Sequence, residues 1–203
     1  MNKLHFLAIM VIAVFLAYGC NTKNSSEQAE NATEKTIKEI ANIEFNTDQL
    51  MQSALNGEHK NVEAALNNGF DVNTIDANKR TLLMLASFNG HTELVELLIA
   101  KGSNVNLRDG VSRSALMYAS TGPFAPTVNI LLKAGAEPNM TDDVQNWTPA
   151  MMAAAEGQLE VLKVLVKNGA DLEMVDVDGE SPLYFAKSNG HSEVVKYIQS
   201  QLK

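Results

Sequence analysis

Methionine and histidine recur at fixed intervals along this chain, and both residue types can ligate metal ions. The chain contains five similar segments of about 33 residues, and one position of the segment is methionine in the first four and tyrosine in the fifth. These residues are Met51, Met84, Met117, Met151 and Tyr184. In a stack of repeated units, consecutive members would lie about 10 Å apart, which is too far for shared ligation. The row of methionines is therefore predicted to pack between helices rather than to bind metal.

Aspartates form a second recurring set that could do acid–base chemistry or bind calcium. They are Asp76, Asp109, Asp142, Asp143, Asp176 and Asp178. No complete calcium-binding loop surrounds them, and aspartate is a common turn-former, so a structural role is predicted. The sequence also has no G-x-S-x-G, H-E-x-x-H or phosphate-binding loop. We therefore predict that the protein is not an enzyme and has no catalytic residue, metal or cofactor.

The overall charge narrows the classes of partner. The chain has 203 residues and a formal net charge of −8, without a run of basic residues. Phosphate neutralisation requires clustered lysine and arginine, so nucleic acid is not an expected partner. The single cysteine, Cys20, excludes an intramolecular disulfide.

The first twenty residues carry a targeting pattern. Lys3 precedes an apolar run from Leu4 to Tyr18 that is too short to span a bilayer, as in the core of a signal peptide. The segment Leu16-Ala17-Tyr18-Gly19-Cys20 resembles the lipobox of bacterial lipoproteins, although Ala17 replaces the usual leucine and Tyr18 is bulky. This resemblance implies cleavage after residue 19, lipidation of Cys20 and a membrane anchor in the bacterial envelope. Asn21 favours outer-membrane sorting, facing the periplasm or the surface. The alternative is an ordinary signal peptide or signal anchor in which Cys20 is incidental.

Residues 20–46 differ from what precedes and follows them. The segment opens with the polar stretch NTKNSSEQAENATEK, which is typical of a flexible tether. Ile37, Ile40 and Ala41 have helical spacing, and Thr36 with Glu39 matches a capping box. This pattern is compatible with a short helix at the end of the tether that covers the first repeat.

Self-similarity dominates residues 47–203. Residues of helix-capping type recur at intervals of 33, 33, 34 and 33, at Asp48, Thr81, Ser114, Thr148 and Ser181. Glycines that suit the end of a second helix recur with the same period, at Gly69, Gly102, Gly135 and Gly169. The period predicts an all-α solenoid of about five stacked helix–turn–helix units, at about 48–76, 77–109, 110–142, 143–176 and 177–203. The polar first copy and the short last copy are expected to act as caps.

The repeated motifs T-P-L-x-x-A, G-H-x-E-V-V-x-L-L and G-A-D-V-N resemble the ankyrin repeat family over about 155 residues. The resemblance implies paired antiparallel helices with β-hairpin-like fingers, and a concave face of fingers and first helices that binds another protein. It also gives His91 and His191, with His59 near them, a structural role in the inter-helix turn. The third copy departs from the pattern at Gly122–Pro126, and this segment either binds the partner or reflects neutral drift of the sequence.

Transferring the family's contact positions by register gives a set of candidate partner-binding residues. They are Asn78, Arg80 and Phe88 in the second copy, Val111 and Arg113 in the third, Val144, Gln145, Trp147 and Glu156 in the fourth, and Asp178 and Glu180 in the fifth. The alternative for Phe88 and Trp147 is packing against neighbouring fingers. We predict a monomeric, membrane-tethered protein-binding module. The alternatives are an inhibitor or immunity-type protein that blocks an enzyme or toxin and, less favoured, an enzyme.

Overall fold

The computed structural model describes residues 46–202, and this part of the chain consists of ten helices in five antiparallel pairs. The helices are α1 Thr47–Asn56, α2 His59–Asn67, α3 Leu82–Phe88, α4 Thr92–Ala100, α5 Ala115–Ser120, α6 Ala125–Lys133, α7 Pro149–Ala155, α8 Leu159–Lys167, α9 Pro182–Ser188 and α10 Ser192–Gln201. Within the described range there is no strand, only an isolated antiparallel bridge between Ile75 and Thr81. The predicted all-α repeat solenoid is confirmed.

The pairs stack in chain order to form two layers. The odd-numbered helices α1, α3, α5, α7 and α9 each contact the next, and the even-numbered helices form the second layer in the same way. Of the described residues, none belongs to a helix long and apolar enough to cross a membrane. The predicted lipidation site Cys20, the predicted signal segment 1–19 and most of the predicted tether, including its predicted capping helix, lie outside the described range.

In the second to fifth repeats, a side-chain hydroxyl caps the first helix of the repeat. Thr81, Ser114, Thr148 and Ser181 all have extended backbones, and each side chain accepts the backbone N–H three residues later. The prediction for the first repeat was wrong: Asp48 is not the cap, since α1 begins at Thr47 and the Asn46 side chain accepts the Asp48 N–H at 2.8 Å. Asp48 instead lies in the first turn, where its charge favours the helix dipole.

The row of methionines lies in the core, as predicted. Met84, Met117 and Met151 are almost completely buried, and Met51 is 5% exposed. The sulfurs of Met84 and Met151 also each accept the backbone N–H of the capping threonine at 3.4 Å. Tyr184 occupies this position in the last repeat and is 48% exposed, because no further helix covers it among the described residues.

The inter-helix turns lock each repeat to the one before it. Nε2 of His91 lies 2.9 Å from the Leu55 carbonyl oxygen, and His191 makes the same contact with Ala155. Both histidines therefore have the predicted structural role. His59 does not share it: it is the first residue of α2, and its Nδ1 lies 3.9 Å from the Glu63 carboxylate.

The irregular third copy replaces this histidine by Phe124. Its ring lies over Gly90, the turn glycine of the preceding repeat, where a Cβ would come within 2.1 Å of the ring. In the fourth copy Gln158 takes the position and its Nε2 donates to the Thr121 carbonyl at 3.4 Å. The segment Gly122–Pro126 therefore contributes a stacking contact, with Pro126 in the first turn of α6.

On the far side of the turns, a ladder of asparagines joins successive repeats. Nδ2 of Asn106 donates to the Gly135 carbonyl at 2.9 Å, and its Oδ1 accepts the Glu137 N–H at 3.0 Å. Asn73 and Asn139 make the equivalent pair of hydrogen bonds one repeat away on either side. Each asparagine thus satisfies backbone groups at the end of the next second helix.

The turn glycines allow a test of this stacking. Gly57 has φ of +72°, and a Cβ there would lie 2.5 Å from Nδ1 of His91, whereas Gly69 has φ of +93° and nothing within 4 Å. We expect Gly57→Ala to lower the free energy of unfolding by at least about 2 kcal/mol, and Gly69→Ala by about 1 kcal/mol. Both strain the backbone, but only the first displaces the imidazole. Urea unfolding followed by circular dichroism measures the difference.

The double variant Gly57→Ala, His91→Ala provides the control. Removing the ring removes the clash, so the losses of the two single variants should be less than additive. Equal losses for Gly57→Ala and Gly69→Ala would show that the histidine does not constrain the turn.

Candidate protein-binding face

The second to fifth helix pairs are each preceded by a finger, and the fingers are the loops 76–80, 109–113, 142–147 and 176–180. Each finger is built around one aspartate. Oδ1 of Asp76 accepts the backbone N–H groups of Asn78 and Arg80, both at 2.8 Å. Asp109 and Asp176 repeat this pattern two and four residues ahead. Asp76, Asp109 and Asp176 are therefore turn-formers, as predicted. Asp143 instead contacts Ser112 and Arg108 in the neighbouring finger. Within residues 46–202, no group of three or more histidine, cysteine, aspartate or glutamate side chains could hold a metal ion.

The fourth finger is one residue longer than the others. In the second, third and fifth fingers the aspartate N–H bonds to the carbonyl four residues later, whereas Asp142 bonds to that of Trp147, five residues later. Oδ1 of Asp142 consequently accepts three backbone N–H groups, those of Val144, Gln145 and Trp147. The extra residue moves the tip of this finger relative to the regular row.

Backbone hydrogen bonds join neighbouring fingers. The Gly110 N–H donates to the Asn78 carbonyl at 2.8 Å, the Asp143 N–H to Val111 at 3.1 Å, and the Val177 N–H to Gln145 at 3.1 Å. Three predicted contact residues, Asn78, Val111 and Gln145, therefore also hold the row of fingers together. Their side chains remain at the surface, while their carbonyl oxygens serve the fold.

The two predicted arginines are ion-paired within the face. Nε and Nη2 of Arg80 both lie 2.8 Å from Oδ2 of Asp76. Burial would raise the pKa of Asp76, but the hydrogen bonds from Arg80 and Asn78 and the guanidinium charge hold that pKa below its usual value. Nε of Arg113 lies 3.7 Å from Oδ2 of Asp142, a residue that is itself buried.

Arg108 was missed by the sequence analysis. It donates to the carbonyl oxygens of Ser112 and Thr141, and its guanidinium lies 3.6 Å from the Asp143 carboxylate. The equivalent positions in the second and fifth fingers are the apolar residues Ile75 and Val175. No periodic signal could therefore have marked this position as polar.

Trp147 packs against the last repeat and is only half-buried. Its ring centroid lies 4.5 Å from that of Phe185, and its Nε1–H donates to Oδ2 of Asp176 at 3.3 Å. Phe88 is 44% exposed and meets Tyr118 edge-on, with 5.9 Å between the ring centroids. One side of each ring therefore packs against a neighbouring aromatic side chain, and the other side stays accessible to a partner.

A groove of about 300 Å³ lies between the third and fourth repeats. It is lined by Arg113, Thr121, Asp142, Val144, Gln145, Trp147, Met152 and Glu156. Five of the nine residues predicted for the second to fourth copies meet here: Arg113, Val144, Gln145, Trp147 and Glu156. Asn78, Arg80, Phe88 and Val111 lie outside it.

The structure also corrects the register of two predicted residues. Phe88 is seven residues after its helix cap, whereas Glu156 is eight residues after Thr148. The counterpart of Phe88 in the groove is Thr121, and the counterpart of Glu156 is Asn89. Aligning the repeats on their capping residues would have identified Thr121 as a lining residue of the groove. Met152, another lining residue, occupies the same repeat position as Tyr118 and Phe185.

Sequence comparison agrees with this architecture, a stack of helix pairs carrying a row of fingers. A family model described as ankyrin repeats, with three copies in each match, covers residues 16–109, 50–142 and 116–202. The chain therefore belongs to the ankyrin repeat family. Ankyrin repeats are generally non-catalytic modules of protein–protein interaction.

Three relatives match parts of the chain. The human Notch-regulated ankyrin repeat-containing protein is 38% identical over 59 residues, 29% of this chain and 52% of that protein. An ankyrin repeat protein of Rickettsia bellii is 40% identical over 52 residues, 26% of this chain and 31% of that protein. L-asparaginase of Dirofilaria immitis is 47% identical over 49 residues, 24% of this chain and 8% of the enzyme. The chain spans about half or less of these relatives, and a match to 8% of an enzyme carries no activity over.

Tyr118 connects this face to the core, and its titration can be tested. Its hydroxyl donates to Oδ2 of Asp109 at 2.7 Å, and burial, together with that carboxylate, raises the pKa of Tyr118 to about 12. The proton is held more tightly in the folded state, so this contribution is present below pH 10 and is lost as the pH rises towards 12. We expect the free energy of unfolding of the wild-type protein to fall, in this pH range, by up to about 1.4 kcal/mol per pH unit more than that of the Tyr118→Phe variant.

Urea unfolding of both proteins at pH 9 and pH 11 measures this difference. Lysine titration affects both proteins equally and cancels in the comparison. Parallel losses in the two proteins would contradict the raised pKa.

Proposed function

We propose that this protein is a non-catalytic binding module that is held at a bacterial envelope membrane and captures another protein through its fingers and first helices. The lipid on Cys20 anchors it, in the outer membrane, and the segment up to residue 46 acts as a tether. It works as a monomer, because the face needs residues of one chain only. The groove between the third and fourth repeats is the centre of the binding face.

One observation carries the proposal: five residues chosen from sequence alone line a single groove. The groove combines an accessible indole, an arginine and apolar side chains, which are the residue types that contribute most to protein interfaces. Val144 at its rim is 54% exposed and has no packing role that would explain an apolar residue there. The aspartate-based turns hold the fingers rigid, so little conformational entropy is lost on binding.

The binding face is tested best at a residue that the fold does not need. Trp147 and Arg80 are poor choices, because both make contacts that stabilise the fingers. Val144→Lys places a charge at the centre of the face without removing an internal contact. Leu202→Lys is the matched control, since Leu202 is 43% exposed directly after α10.

A photo-crosslinking amino acid at position 144 identifies the partner in cells, and binding of the purified partner is then measured. We expect Val144→Lys to weaken binding at least tenfold, because the partner would have to desolvate an ammonium group at the apolar rim of the groove. Leu202→Lys should bind normally. If Val144→Lys also binds normally while folding correctly, the partner does not use this face.

The membrane anchor is tested separately through Cys20. We expect the wild-type chain to sediment with outer membranes and to incorporate labelled palmitate. Cys20→Ser should lose both properties, because one acyl chain buries many CH₂ groups at about 0.8 kcal/mol each. Val144→Lys serves as the control that keeps the anchor. A wild-type protein that takes up no label, or that fractionates like Cys20→Ser, would rule out lipidation.

A further inference from the structure

Glu156 breaks a contact that other repeats use for stacking. At its position in the second and fifth repeats, Asn89 and Asn189 donate from Nδ2 to the carbonyl oxygens of Leu55 and Ala155, both at 2.7 Å. A carboxylate cannot donate such a bond. Glu156 is exposed instead, and it forms no hydrogen bond or ion pair through its carboxylate with any residue from 46 to 202. The fourth repeat thus gives up a stacking bond at the groove, where a local rule is often broken for function.

The charges that line the groove do not cancel. Arg113 lies 3.7 Å from Asp142, so the two charges offset each other although Nε of Arg113 makes no hydrogen bond within residues 46–202. Glu156 is left as the uncompensated charge of the lining. The neighbouring last finger adds Asp178 and Glu180, and the chain has no lysine or arginine between Lys167 and Lys187. The field at this end of the face is therefore negative and favours a cationic ligand.

The rest of the lining is uncharged and mostly apolar. Trp147 and Met152 form apolar walls with Val144 at the rim, and Thr121 and Gln145 complete the lining. A volume of about 300 Å³ is at the lower limit of ligand pockets, with space for one long side chain. A side chain with a methylene stem and a charged head matches such walls with a carboxylate among them. An indole ring also attracts a cation placed over its face.

We propose that the groove receives a lysine or arginine side chain of the partner protein, with its stem against Trp147 and Met152 and its charged head at Glu156. This inference rests on the proposed function, because it specifies the partner chemistry of the same face. An anionic side chain would meet an excess negative charge. A purely apolar side chain would fill the groove but would leave Glu156 without a counter-charge.

Three synthetic peptides test the proposal with the full-length chain in a neutral detergent. Each has seven residues in an extended, otherwise uncharged sequence, and the central residue is arginine, norleucine or glutamate. The chain contains a single tryptophan, Trp147, so its fluorescence reports the groove directly. Titrations are run on the wild-type protein and on Glu156→Gln, Glu156→Lys and the matched control Glu96→Gln, which alters an exposed carboxylate on α4.

We expect the arginine peptide to bind wild type about three- to tenfold more tightly than the norleucine peptide, and the glutamate peptide to bind most weakly. Glu156→Gln should remove most of the preference for arginine, Glu156→Lys should reverse it, and Glu96→Gln should preserve it. The proposal fails if norleucine or glutamate binds as well as arginine, if no peptide perturbs Trp147, or if the preference survives Glu156→Lys.

These outcomes are separable from the test of the binding face. If Val144→Lys abolishes partner binding while the arginine preference is absent, the face stands and its cationic ligand is wrong. If Val144→Lys leaves partner binding intact, the proposed function fails whatever the peptides show.

Discussion

The burial of each helix pair between its two neighbours is the interaction on which everything else in this protein depends. Helices of six to ten residues are too short to be stable alone. In α3 every residue from Leu82 to Ser87 is buried, so this helix has no solvent-facing stripe and must be covered on both sides. The turn contacts of His91, Phe124, Gln158 and His191 recur with the same period as the asparagine ladder, and together they fix the register in which one pair lies on the next.

A fixed register makes the fingers a defined surface rather than a set of independent loops. Each finger carries a left-handed residue next to its last position, and its aspartate accepts the backbone N–H groups that this conformation leaves unpaired. Backbone bonds between neighbouring fingers then transmit the spacing of the helices to the finger tips. The side chains on the face are consequently presented in a nearly fixed arrangement, which is the condition for binding without a large ordering cost.

Much of the fold could be predicted because capping and packing depend on local chemistry that repeats. Thr81, Ser114, Thr148 and Ser181 mark helix starts through their hydroxyls, and the glycines with positive φ mark helix ends. Asp48 was assigned wrongly because α1 begins one residue earlier than the period indicates, at Thr47, and Asn46 performs the capping instead. In a degenerate repeat such as the first, residue type alone does not show which of several neighbouring polar residues caps the helix.

The candidate groove was harder to predict because it arises where the period fails. One inserted residue displaces the tip of the fourth finger, and a one-residue difference in helix register separates Glu156 from the counterpart of Phe88. Periodicity predicts what all copies share, namely the stack, whereas a specific surface requires copies that differ. In this chain the differences converge on one place: the long finger, the aromatic Trp147 and a glutamate in place of a stacking asparagine. A regular stack with one concentrated irregularity is the arrangement expected when stability and recognition are carried by separate residues.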